Sequence, residues 1–295
     1  MRIHVHALAT AAATLALMVM GSLVHGTGSS LACPDWPLCH GSFFPEMTHG
    51  VEFEHTHRLM AAGVVVLIVS LFWRTLKGQD RLARWLAGAG CALVLVQATL
   101  GGLTVIYRLP PAISIAHLAT SMAFLSLMVI VAARLWPGKP PTEEPAHGRF
   151  GSVALLAFVQ IVLGAAVRHT GAVLACTGFP LCSGELWPDA SLSRLHVLHR
   201  TLGLLVLVAT IAVCLPAARR AETRARLVTA VLPMVACTLQ IALGIAIVLT
   251  YAPLDLVTLH HLGGGVLLGS LVLAWAARNP LQVRDARGVF GALPR

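Results

Sequence analysis

Charge is scarce in this chain. Of its 295 residues only 11% are Asp, Glu, Lys or Arg, and the acids number just 12. A soluble domain carries roughly a quarter of its residues charged, so a compact water-soluble enzyme is excluded at the outset. Without such a domain to display it, the net charge of +9 does not indicate nucleic-acid binding either. Also missing is the short C-x2–4-C spacing usual in structural zinc sites.

What fills the space is apolar: 57% of residues are hydrophobic and the mean hydropathy is +0.81. Runs long enough to cross about 30 Å of hydrocarbon, at about 1.5 Å rise per residue, lie near 7–24, 56–73, 85–106, 112–133, 151–167, 195–214, 227–249 and 256–277. The predicted fold class is therefore an all-α membrane protein with eight transmembrane helices. Orientation follows from the cations. Arg2, the 74–84 loop, the 134–149 loop, the 219–226 loop and the stretch from Arg278 to Arg295 hold sixteen of the 21 Lys and Arg. By the positive-inside bias both termini are expected in the cytoplasm of a cell (inner) membrane, with the alternate loops outside.

Two of those outer loops are nearly the same text: LACPDWPLCHG at 31–41 and LACTGFPLCSG at 174–184. Cys33 with Cys39, and Cys176 with Cys182, are each six apart on the oxidising side, a spacing two local disulfides can close. A four-cysteine zinc site is the rival reading. Cys91, Cys214 and Cys237 fall inside helices and read as small core residues. The N-terminal apolar stretch has the outline of a signal peptide, but the matching LAC follows helix 5 in mid-chain, so helix 1 is expected to be retained.

The similarity extends beyond the loops. At an offset of 142 to 143 residues, VHGTGSSLAC falls on VRHTGAVLAC, EHTHR (54–58) on HVLHR (196–200), QATLGG on QIALGI, and His117 on His260. A shared period of this kind signals duplicated architecture. Each half has four helices, an even number, so the halves point the same way: two parallel pseudo-symmetric four-helix bundles, residues 1–140 and 147–280, with a cytoplasmic tail at 281–295.

His57, His117, His199 and His260 each lie one to two turns into an even-numbered helix that starts at the outer face. They form one layer within the membrane, where ionisable side chains are costly and usually mark function. For any one of them a hydrogen-bonded structural histidine is an adequate reading; for four placed pairwise by a duplication it is not. Pairs of imidazoles in an apolar bundle suit the two axial positions of a haem, a flat greasy group. Zinc or copper would recruit further ligands at that depth, and only one carboxylate is near. The pockets differ: Glu54 stands three residues before His57, whereas His196 stands three before His199, each pair on one helix face. Glu54 has a second reading as a charge favoured at a helix N-terminus.

The two C-x5-C loops, the ExxHR run at 54–58, the HxxHR run at 196–200 and the histidines of helices 4 and 8 together resemble the haem A synthase family, the bacterial counterpart of a mitochondrial enzyme, over about residues 7–277. The resemblance implies oxidation of a haem O ring methyl to a formyl group, giving haem A. It implies that His57 and His117 receive the farnesylated substrate haem O, that His199 and His260 hold a resident haem b, and that Glu54 is the catalytic group. In helix 8 His261 competes with His260, and the 143-residue offset selects His260. Arg58 and Arg200 fit haem propionates, or simply snorkel to the outer interface. Gln97, Gln160 and Gln240, each ahead of an xxLG run, read as helix-packing residues. His25, His40, His49 and His169 are expected in solvent, and Trp36 and Trp187 in an outer aromatic belt or over a haem edge. A haem O synthase at the cytoplasmic loops is a candidate partner, beside the lipid bilayer itself. A dihaem b-type cytochrome that only carries electrons is the alternative function; a transporter with duplicated halves would leave the paired histidines without a purpose.

Overall fold

A computed structural model describes residues 2–137 and 147–278, the last segment without the side chain of His147. Eight α-helices account for nearly all of it: α1 Ile3–Gly26, α2 Val51–Leu76, α3 Arg81–Ile106, α4 Pro111–Arg134, α5 His147–His169, α6 Ser191–Arg219, α7 Arg224–Leu249 and α8 Leu254–Ala276. All eight are long and apolar enough to cross a membrane. The proposed tail at 281–295 lies outside the described residues.

Every predicted helix is present, and the differences are at the ends. α2 begins five residues earlier than its apolar run and α6 ends five later. An apolar window cannot see these turns, because a helix emerging from hydrocarbon continues through the polar interface with polar side chains. What stops them is local. Gly50 takes a left-handed φ of 92° before α2, a conformation glycine adopts without a Cβ penalty. Pro111 opens α4, where its missing N–H costs nothing. Asp80 caps α3 by accepting the Ala83 N–H at 2.9 Å, and its carboxylate also pairs with Arg134 at the end of α4, 3.0 Å away.

Packing follows two closed rings. α1 touches α2, α2 touches α3, α3 touches α4, and α4 returns to α1; α5 to α8 repeat that cycle. The rings meet through α1 with α8, α4 with α5, and α4 with α8. Exchanging the halves maps each of these contacts onto another, as a two-fold relation between repeats requires. Lipid is as apolar as leucine, so helices in a bilayer associate by close packing and not by the hydrophobic effect. The central seam shows how: Leu125 and Met128 of α4 and Leu268 and Leu271 of α8 are fully buried. Gly265 sits where a Cβ would press within 2.9 Å of Leu15. The outer helices turn side chains such as Val66, Trp73, Leu95 and Val208 outward, toward what would be lipid.

Candidate functional site

Each of the four layer histidines meets the same neighbour. A Cβ built on Gly21 of α1 would lie 3.1 Å from Cε1 of His57; on Gly101 of α3, 3.1 Å from His117; on Gly164 of α5, 2.8 Å from His199; on Gly244 of α7, 3.2 Å from His260. Each odd helix thus omits one side chain so that the imidazole of the next helix can lie against its backbone. His199 and His260 line one cavity in the second half. The glycine contact also bears on the choice in α8, since His260, not His261, faces Gly244 as His117 faces Gly101.

The second half encloses a cavity of about 360 Å³ lined by His199, His260, Gln160, Gln240, Arg168 and Arg200, among others. Its walls are mainly aliphatic, and α4 contributes Leu118 and Met122 across the seam. An apolar slot with a few convergent polar groups is the usual form of a cofactor site. Nδ1 of His57, His117 and His260 is buried without a hydrogen-bond partner of ordinary geometry. Such orphans are uncommon in a finished interior.

Over each half lies a disulfide loop. Cys33 is bonded to Cys39 and Cys176 to Cys182, which removes all four sulfurs from any zinc site. The loops share a shape: isolated bridges join Cys39 to Ser42 and Cys182 to Glu185, and Trp36–Pro37 and Phe179–Pro180 are both cis. Arg58 donates to the carbonyls of Asp35 (2.7 Å), Leu38 and Cys33 (3.2 Å). Arg200 donates to those of Gly178 (2.7 Å), Leu181 (3.5 Å) and Cys176 (2.8 Å), the same three positions one repeat later. The planar fork of arginine suits such a clamp. These donors are turned to the loops, although Arg200 still borders the cavity.

The halves part at the residue three before the first histidine. Glu54 is 4% exposed. One carboxylate oxygen accepts the Cys33 N–H at 2.8 Å and the other accepts from Arg58 at 2.6 Å. A carboxylate taken out of water needs such partners. His196 takes the corresponding place beside His199 and lines the second cavity. In the exposed part of the first loop, Asp35 accepts the N–H groups of His40 (2.7 Å) and Gly41 (2.8 Å). The Gly41 N–H above all, with the His40 N–H and the Arg58 charge, holds its carboxyl below the ordinary 3.8, against the opposing effect of desolvation.

Several residues that matter here do not stand out in the sequence. The four glycines are visible only as part of packing motifs. Arg168 lines the cavity and donates to Ser22 Oγ (3.0 Å) and the Ser22 carbonyl (3.1 Å) across the seam; among the described residues it has no carboxylate partner. Its signal was its position, a cation in an apolar helix away from any acid. His25 and His169 are not in solvent: they end α1 and α5 with their rings 5.0 Å apart, both partly buried. That pairing needs the two halves side by side, which local polarity does not reveal. His40 and His49 are exposed as expected. Trp36 rests on α3, where a Cβ at Gly102 would come within 2.7 Å of its ring, while Trp187 is 56% exposed.

Comparison with known proteins agrees with this architecture. Residues 46–272 match the family described as cytochrome oxidase assembly protein, COX15-CtaA. The chain belongs to that family. Similar relatives carry the name heme A synthase. That of Shouchella clausii is 31% identical over 269 residues, covering 86% of this chain and 89% of its own. That of Alkalihalophilus pseudofirmus is 30% identical over 284 residues, covering 92% and 95%. One from Shewanella oneidensis is 27% identical over 311 aligned positions, covering 88% and 91%. The family match takes in Glu54 and all four layer histidines, while Gly21 and the first disulfide loop precede it.

Proposed function

We propose that this chain is a haem A synthase, an oxidoreductase that converts a ring methyl of haem O to a formyl group. His57 and His117 of the first half, residues 1–140, hold the iron of the substrate. His199 and His260 of the second half, residues 147–280, hold a haem b. The histidine pairs fit such a group: each ring is backed by glycine inside an apolar bundle. A ligating imidazole uses its second nitrogen to donate, and the partner of that hydrogen bond tunes the bond to the metal. The bound haem b supplies one-electron chemistry, while the protein sets its position and surroundings.

The observation that carries the reading is the single buried carboxylate among the described residues. Glu54 occurs in one half only, and oxidising a methyl carbon leaves that carbon electron-poor. A fixed carboxylate in a water-poor pocket stabilises such charge, or takes the proton of a water directed at the carbon. Cys33 N–H and Arg58 hold it in place for that task. Arg168, at the second cavity, would be the cation offered to a haem b propionate, since the guanidinium of Arg200 is turned to the loop. Both termini would then be cytoplasmic and the disulfide loops external, and a haem O synthase could meet the inner loops.

Glu54→Ala tests the reading. Haem extracted from membranes carrying the variant is expected to contain haem O in place of haem A, with total haem bound to the protein unchanged. Normal haem A from that variant would remove Glu54 from the chemistry, and haem A persisting in membranes without the chain would reduce it to a dihaem electron carrier.

A further inference from the structure

The outer end of α1 belongs to the first half by sequence and is gripped by the second. Arg168 of α5 donates twice to one residue, to Ser22 Oγ at 3.0 Å and to the Ser22 carbonyl at 3.1 Å. Ser22 in turn donates to Thr258 Oγ1 of α8 at 3.3 Å, and both hydroxyl residues are buried. One turn later Gly26 leaves the space that Leu254, at the start of α8, fills. His25 and His169 meet across the same seam, edge to face.

The grip falls beside a ligand site. Ser22 follows Gly21, the glycine on which the His57 ring lies, where a Cβ would stand 3.1 Å from Cε1. Consecutive residues of a hydrogen-bonded helix move together, so whatever fixes Ser22 also fixes the surface behind His57. Arg168 meanwhile lines the second cavity with His199, His260 and His261. A guanidinium has five N–H donors in a rigid fork. Two are engaged by Ser22, which leaves the others for an anion in the cavity.

This link has no mirror image. At the 143-residue offset Ser22 falls on Ala165, which has no hydroxyl, and the place of Arg168 is taken in the first half by His25. Gly164, which backs His199, is therefore followed by no such anchor among the described residues.

We propose that Arg168 is a positioning residue for the first pocket: when it binds the anionic edge of a haem in the second cavity it is fixed in place, and with it the Gly21–Ser22 turn that backs His57. The pockets then fill in order, the resident haem first. This rests on the assignment of one haem to each half. An arginine side chain loses rotamer freedom when it is held, and freedom lost in one binding event need not be lost again in the next. Such coupling is reciprocal, so each haem raises the affinity for the other by one factor, typically about 5- to 150-fold.

Optical titration of haem O into the purified full chain reads the coupling. Two preparations are compared, one with haem b in the second half and one carrying His199→Ala with His260→Ala, which leaves that half empty. The loaded chain is expected to bind haem O at least about fivefold more tightly. Arg168→Met should bring the two affinities together. Ser22→Ala, at a residue that lines neither histidine pair, should narrow the difference while haem b content stays the same, which keeps the test open if Arg168→Met loses haem b or fails to fold. Thr258→Val removes the other bond of Ser22 and spares that to Arg168, so it should keep the full difference. Equal affinities in the two preparations, a difference that survives both Arg168→Met and Ser22→Ala, or one lost equally in Thr258→Val would overturn the inference. Failure of both preparations to take up haem O would instead overturn the pocket assignment beneath it.

Discussion

Glu54 and Arg58 differ from their repeat partners in what each would leave behind. Removing Arg58 strands a buried carboxylate, and breaking a buried pair in this way costs about 3–5 kcal/mol. Removing Arg200 leaves only loop carbonyls without a donor, a loss of about 1–3 kcal/mol. Arg58→Ala should therefore lower the melting temperature in detergent more than Arg200→Ala does; the reverse order would contradict the ion pair at 2.6 Å. Asp35 provides a pH test in the same loop. Its carboxyl is held below 3.8 in the fold, so its contribution is complete above that value and is lost as pH falls through the depressed one. Fluorescence of the adjacent Trp36 should report a transition on acidification below pH 3.8, absent in Asp35→Asn.

At the scale of the element, the odd helix is a backing for the even one. A methyl at Gly164 would meet His199 at 2.8 Å, whereas at Gly244 it would meet His260 at 3.2 Å. The first forces a shift and the second needs only a few tenths of an ångström. Overpacking a filled site costs about 1–3 kcal/mol. Gly164→Ala is expected to lose a large share of the second-half haem and Gly244→Ala little of it, measured as haem per protein after purification. The same logic explains why the disulfide loops recur. Each short loop is closed by its bridge and clamped by an arginine one turn below the carboxylate or histidine, so the loop is tied to the helix that carries the ligand.

For the whole molecule, two rings joined at α1, α4, α5 and α8 set matched histidine pairs side by side, and duplication then allows them to diverge. The differences so far found all lie at matched positions: Glu54 against His196, Ser22 against Ala165, His25 against Arg168. If the rings hold their haems independently, His199→Ala with His260→Ala should halve the haem content and leave the first-half spectrum unchanged. A loss of both haems would show that the rings are not separable.

Helix number, the repeat, the histidine layer and the cysteine pairs were legible in the sequence because each depends on local composition or on a fixed offset. Apolar length alone specifies a membrane span, and a duplication of about 143 residues carries its own alignment. The ends of α2 and α6, the loop-directed arginines and the His25–His169 contact were not legible. The arginines and the histidine contact depend on what another segment places opposite, and linear neighbours hold no record of that; the helix ends lie in polar turns that an apolar window does not see. The chain by itself thus determined that the helices come in two matched halves and that Glu54 in one answers to His196 in the other. Only the folded bundle decided that a glycine backs each of the four histidines and that a glutamine amide reaches three of them, since such contacts exist only once separate helices are brought within a few ångströms.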